Sequence, residues 1–165
     1  MDKTVEIIFS FRKFLLNKIE ELSVEDLNKI PDNSSNNIIW NLAHLNAVLG
    51  ALCYKTAALP LPIEEKYFLP FLPGTKPAYY IDASEVQLIK HQLIAVMEQL
   101  IADLNSGIFK SYHKVEKIES VYGIIVESVD DAIKYILHHE GIHFNAITNI
   151  MRRLEQTRSG LDQLI

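Results

Sequence analysis

Five of the six prolines in this chain fall between Pro60 and Pro77, and they limit the fold more than any other feature. Proline lacks the N–H that a helix ladder needs and clashes with the preceding turn, so no helix runs through this stretch. On both sides of it apolar residues recur at helical spacing, and no run alternates as a half-buried strand does. The chain therefore reads as all-α.

Four helices are expected. The first runs from about Lys3 to Leu22, with Val5, Ile8, Phe11, Leu15 and Ile19 as its apolar stripe. Ser23 and Asp26 then start a short turn that ends at Pro31, followed by the polar loop Asp32 to Asn36. Asn36 or Asn37 caps a second helix that continues to Leu59 and carries His44 in its N-terminal third. Ser84 with Gln87 forms a capping box for a third, which runs to Asn105 and is stopped by Gly107. Ser128 with Asp131 caps the fourth, which runs to about Leu154. The intervening Val121 to Val126 piece is expected to be extended or to cover one end.

Connection lengths then constrain topology. A helix of about 22 residues spans about 33 Å, and roughly ten extended residues retrace that distance. The 24 residues from Pro60 to Ala83 are ample for such a return, so the second and third helices can run parallel. The loop after the first helix suits antiparallel neighbours. The expectation is one domain over 1–165, an up-down-down-up four-helix bundle with a long crossover between helices 2 and 3.

With 48% hydrophobic residues in a chain of 165, a sizeable core can form. The 21 acidic and 16 basic residues give a net charge of -5 with no basic block, which argues against a nucleic-acid partner. No apolar run reaches bilayer-spanning length, the first residues do not resemble a signal peptide, and the lone Cys53 has no partner for a disulfide. These features point to a soluble, cytoplasmic protein with no membrane partner.

The fourth helix carries His139 and His143, four residues apart and both in its apolar stripe with Ala132, Ile136, Ile150 and Leu154. Residues at i and i+4 share a face, so the two imidazoles can serve one metal ion. Trp40 at the start of the second helix, His44-Leu45, the His139 to His143 pair, and Arg152-Arg153 occur in an order that resembles the DinB-like (YfiT-like) superfamily of metal-binding four-helix bundles. The resemblance spans nearly the whole chain. It implies that His44, His139 and His143 are metal ligands, that the protein is a homodimer, and that it is a metal-dependent hydrolase or a thiol S-transferase acting on a small molecule. The superfamily also includes a maleylpyruvate isomerase, so the resemblance specifies the site better than the substrate.

Three neutral imidazoles leave coordination positions open for water or a thiol, and zinc, nickel or iron would suit them. The alternative is a bundle in which the metal is structural or absent and the histidines are hydrogen-bonded core residues. His139-Glu-Gly-Ile-His143 also matches the zincin signature, which would make Glu140 a general base. However, the extended metzincin pattern needs a glycine and a third histidine where this chain has Ala146 and Asn149. The simpler reading of Glu140 is a partly solvated carboxylate. His138 lies about 100° around the helix from His139 and belongs to the surface or to the surroundings of the site, while His91 and His113 read as solvated. Gly141 departs from good helix formers but leaves the spacing intact. The aromatic residues Tyr67, Phe68, Phe71, Tyr79 and Tyr80 could wall a pocket, form a subunit contact or pack on the helices beneath.

Overall fold

The computed structural model describes residues 2–162, which are helical with no strand among them. The main helices are α1 (Lys3–Lys18), α3 (Ile38–Leu49), α4 (Ala83–Ser106) and α6 (Val129–Asp162), with the short helices α2 (Val24–Asn28) and α5 (Glu116–Tyr122) in the connections. α1 packs on α4 and α6, and α3 packs on the same two. α1 and α3 are thus joined in sequence yet make their principal contacts with α4 and α6 rather than with each other.

Local chemistry accounts for most of the boundaries. Asn37 caps α3 by accepting from the Trp40 amide at 2.9 Å. Ser23 and Asp26 form the reciprocal box at α2, and Ser128 accepts from the Asp131 amide at 3.1 Å before α6. Gly107 ends α4 with φ 66°, a left-handed conformation that glycine adopts without a Cβ clash. The start of α4 differs from expectation, because Asp82 rather than Ser84 is the cap and receives the Ser84 and Glu85 amides at 2.8 and 3.0 Å. α1 ends at Lys18, short of Leu22, and α6 continues past Leu154. The stretch expected to be extended or to cover an end contains the last two residues of α5, which stops at Gly123 with φ 68°.

The second predicted helix has two parts. After Leu49 the ladder widens into a π-helical segment, Gly50–Lys55, so the face it offers rotates by about one residue. All twelve residues of α3 are buried, so this helix presents no apolar face to a partner. On α1 the buried register is Val5, Ile8, Arg12 and Leu15, continued by the C-cap residue Ile19, and Phe11 is 45% exposed. An arginine occupies the position that the sequence stripe gave to phenylalanine.

The proline-rich crossover folds down onto the helices. Tyr67, Phe68 and Phe71 are buried, whereas Tyr79 and Tyr80 remain exposed. Asn28 ties its far end to α2 by donating to the Ile81 carbonyl and accepting from the Ile81 amide, both at 2.9 Å.

Candidate metal centre

His44 is brought to α6 by the α3–α6 packing, and its ring meets those of His139 and His143 at centroid separations of 5.2 and 4.5 Å. One ring nitrogen from each histidine lies within 4.8 Å of the other two. His44 Nε2 and His139 Nε2 are 3.3 Å apart. Two nitrogens bound tetrahedrally at about 2.0–2.1 Å to one ion would be separated by about 3.3–3.4 Å, so the His44–His139 pair is spaced as ligands of a zinc-like cation are, with a His143 nitrogen close by.

The orientation of two of the rings is fixed from behind. His44 Nδ1 donates to the Phe71 carbonyl at 2.5 Å, and His143 Nδ1 donates to Asn41 Oδ1 at 2.7 Å. With the proton on Nδ1, each ring presents a bare Nε2 lone pair, the form that binds a metal. The Phe71 carbonyl comes from the crossover, so this loop helps build the centre. Asn41 is held in turn by donation to the Asn37 carbonyl at 2.6 Å. Trp40 stacks on His44 with ring centroids 4.6 Å apart and planes within 14°.

Electrostatics keep the cluster unprotonated. Burial, then the charges of His143, His44 and Arg12, lower the pKa of His139 to about 3. Burial and His44 lower that of His143 to about 4. Burial also lowers His44, opposed by its hydrogen bond to Phe71. Three neutral imidazoles facing one another can be satisfied together by a cation that no protein group supplies.

The cluster opens into a cavity of about 430 Å³ walled by Trp40, Val48, Leu52, Ile118, Tyr122 and Tyr135. The π-helical widening contributes Ala51 and Leu52, the crossover contributes Pro73 to Thr75, and α5 provides the cover. A larger groove of about 720 Å³, at Leu59 to Glu64, contains no histidine.

A family model of the DinB superfamily matches residues 12–147. The chain belongs to the DinB superfamily. Among curated protein sequences, none matches it. The matched span contains all three histidines, the crossover and Glu140.

The other candidate residues of this DinB-superfamily chain lie elsewhere. Glu140 is not a partly solvated carboxylate. It is 5% exposed, faces away from the cavity lining, and accepts from Arg12 Nε and a terminal nitrogen at 2.9 and 2.6 Å. The two neighbours differ because a step of one residue turns the side chain about 100° around the helix. His138, His91 and His113 are exposed. Cys53 is buried, which pushes its thiol up to about 12 and leaves it inert. A Cβ added at Gly141 would meet nothing within 4 Å, so no helix approaches there and the glycine is simply tolerated.

Four contributors escaped the sequence reading: Arg12, Asn41, Asn46 and the Phe71 carbonyl. Arg12 is fully buried and also donates to Asn46 Oδ1 at 3.1 Å and to the Leu45 and Leu93 carbonyls at 3.2 Å. It thereby links α1 to α3, α4 and α6 at the level of the metal-ligand candidates. Asn41 lies three residues before His44, a spacing that places both on one helix face and could have pointed to it.

Proposed function

We propose that this DinB-superfamily protein is a metal-dependent enzyme in which His44, His139 and His143 bind a divalent zinc, nickel or iron ion beside a small-molecule cavity. The observation that carries this reading is the convergence of three neutral imidazoles at the base of an open, largely apolar cavity. An ion held by these three histidines would lower the pKa of a water or thiol bound to it and so would supply a nucleophile near neutral pH. The reaction is of the hydrolase or thiol S-transferase type, on a small electrophile.

The chain's own residues have distinct tasks. Asn41 and the Phe71 carbonyl keep Nε2 of His143 and His44 unprotonated and aimed inward. Trp40 holds the His44 plane, and apolar side chains make up most of the cavity wall. Glu140 serves structure rather than proton transfer, because Arg12 already engages its carboxylate. That disfavours a zincin-type protease. The cavity favours catalysis over a purely structural metal, which would be sealed by a fourth protein ligand.

The same reading takes residues 1–165 as one domain, a crossover four-helix bundle in which α3 and α4 run parallel, in a cytoplasmic protein. No described helix is long and apolar enough to cross a membrane. It also includes a homodimer. Exposed Phe11 and Phe14 on α1 meet Phe144 of α6 at 5.9 and 6.0 Å, which leaves an aromatic patch available for a second copy. Light scattering at the 18.9 kDa monomer mass at all concentrations would remove the dimer.

Activity is tested with zinc-, nickel- and iron-loaded protein, on an activated ester and on a chloronitroarene with a low-molecular-weight thiol. Metal-dependent turnover of either, abolished in His139→Ala, is expected. Metal binding without turnover across such a panel would favour the structural role.

A further inference from the structure

The charge around the histidine cavity differs from that of the whole chain. The protein carries 21 acidic and 16 basic residues, yet no Asp or Glu lines this cavity. Lys117 of α5 does line it. Lys114, three residues earlier and before α5 begins, is held by Glu119 at 2.6 Å, whereas the Lys117 ammonium has no ion-pair partner among the described residues. Glu140, between two of the histidines, is neutralised by Arg12. The cavity therefore combines an unpaired ammonium, neutral imidazoles and apolar walls, with no anion of its own.

We propose that the cavity takes an apolar small molecule bearing an anionic group, an aryl or alkyl carboxylate, with the anion at Lys117 and the hydrocarbon body against Trp40, Tyr122 and Tyr135. Aromatic walls supply contact area without consuming hydrogen-bonding groups, and a few polar groups fix orientation, the usual division in small-molecule sites. An amine would meet a like charge with nothing to offset it. A polyhydroxylated ligand would find few partners along Val48, Leu52 and Ile118. This assignment deepens the proposed function and rests on the cavity being the substrate site, but it does not require the metal to be bound.

The test compares 4-phenylbutyrate, 4-phenylbutan-1-ol and 4-phenylbutylamine, which share a body and differ in charge. Binding is followed by calorimetry and by the emission of Trp40, the only tryptophan in the chain, in metal-free and zinc-loaded protein. In metal-free wild type the carboxylate is expected to bind about fivefold tighter than the alcohol, a size set by the solvent exposure of Lys117, and the amine most weakly. Lys117→Arg keeps that order, Lys117→Gln removes the preference for the carboxylate, and Lys117→Glu reverses it. The residue is exposed, so the fold should be unaffected, and circular dichroism checks this. Equal affinities, preference for the amine, no binding of any probe at millimolar concentration, or an unchanged preference in Lys117→Gln would overturn the inference. Failure to bind zinc with the charge preference intact would remove the metal reading alone. Zinc binding without the preference would remove this inference alone.

Discussion

His139 and Glu140 are adjacent on α6, yet they belong to opposite kinds of buried polar group. Glu140 meets Arg12, and the guanidinium spends its donors on a carboxylate, an amide oxygen and two carbonyls, all from the protein. His139 meets two other imidazoles, and the nearest partner of its Nε2 is another ring nitrogen. In the first cluster the charges are matched within the protein, with only Asn46 Nδ2 left without a partner, whereas the second needs a cation to satisfy facing lone pairs. The buried charge that organises the fold is paired internally, and the buried lone pairs at the histidines are left short by what a cation would bring.

The largest expected effect is at the charge-paired cluster. Arg12→Met leaves Glu140 as an uncompensated buried charge and should destabilise the protein by about 3–5 kcal/mol in chemical denaturation. Arg12→Met with Glu140→Leu should recover most of that loss, since the charge that lacked a partner is gone. A double variant as unstable as the single one would break the distinction between the clusters.

Asn41→Leu tests the other side. It removes the acceptor of His143 Nδ1–H and frees the ring to change tautomer, so zinc affinity should fall about 10- to 100-fold by calorimetry. Unchanged affinity would mean that Asn41 does not orient the ring.

The metal-free protein should also lose stability as pH falls below about 6.5, by up to about 1.4 kcal/mol per pH unit for each histidine involved. Unfolded histidine takes its proton there, whereas folded His143 and His139 resist it down to about 4 and about 3, so acid favours the unfolded chain. Denaturation midpoints measured from neutral pH to pH 4 should slope less in His139→Ala than in wild type. Equal slopes would assign the acid sensitivity elsewhere.

The smallest effect belongs to the solvent face of the same turn. Gly141→Ala enters open space and should stabilise the helix by up to about 1 kcal/mol without changing zinc affinity. A clear drop in affinity would show that the glycine's flexibility matters to the site.

What the sequence revealed divides along the same line. Helix periodicity, the Ser23, Asn37 and Ser128 caps, and the Gly107 stop are local signals, and each occurs where it was expected. His139 and His143 were readable because they share a helix face, and His44 was reached only through the resemblance that the Trp40 and His44-Leu45 motifs carry. Arg12 was not readable, because steps of three and four residues both suit a helical stripe and a phenylalanine stood one position away. Its burial makes sense only with Glu140, 128 residues further on. The Phe71 carbonyl has no side-chain signature, since any residue could supply it. The Asp82 cap was missed because Asp82 and Ser84 are both good acceptors two residues apart. The π-helical turn at Gly50–Lys55 had no readable sequence signal, although it shapes the cavity wall.

Zinc titration of wild type, His44→Ala and His139→Ala, each purified without added metal or a histidine tag and followed by calorimetry and Trp40 emission, tests the central claim most directly. The account predicts one ion per wild-type chain, with emission changing at Trp40 because its ring stacks on His44, and binding weakened by orders of magnitude in both variants. If both variants bound zinc as tightly as wild type, the three-histidine centre and the chemistry built on it would be contradicted.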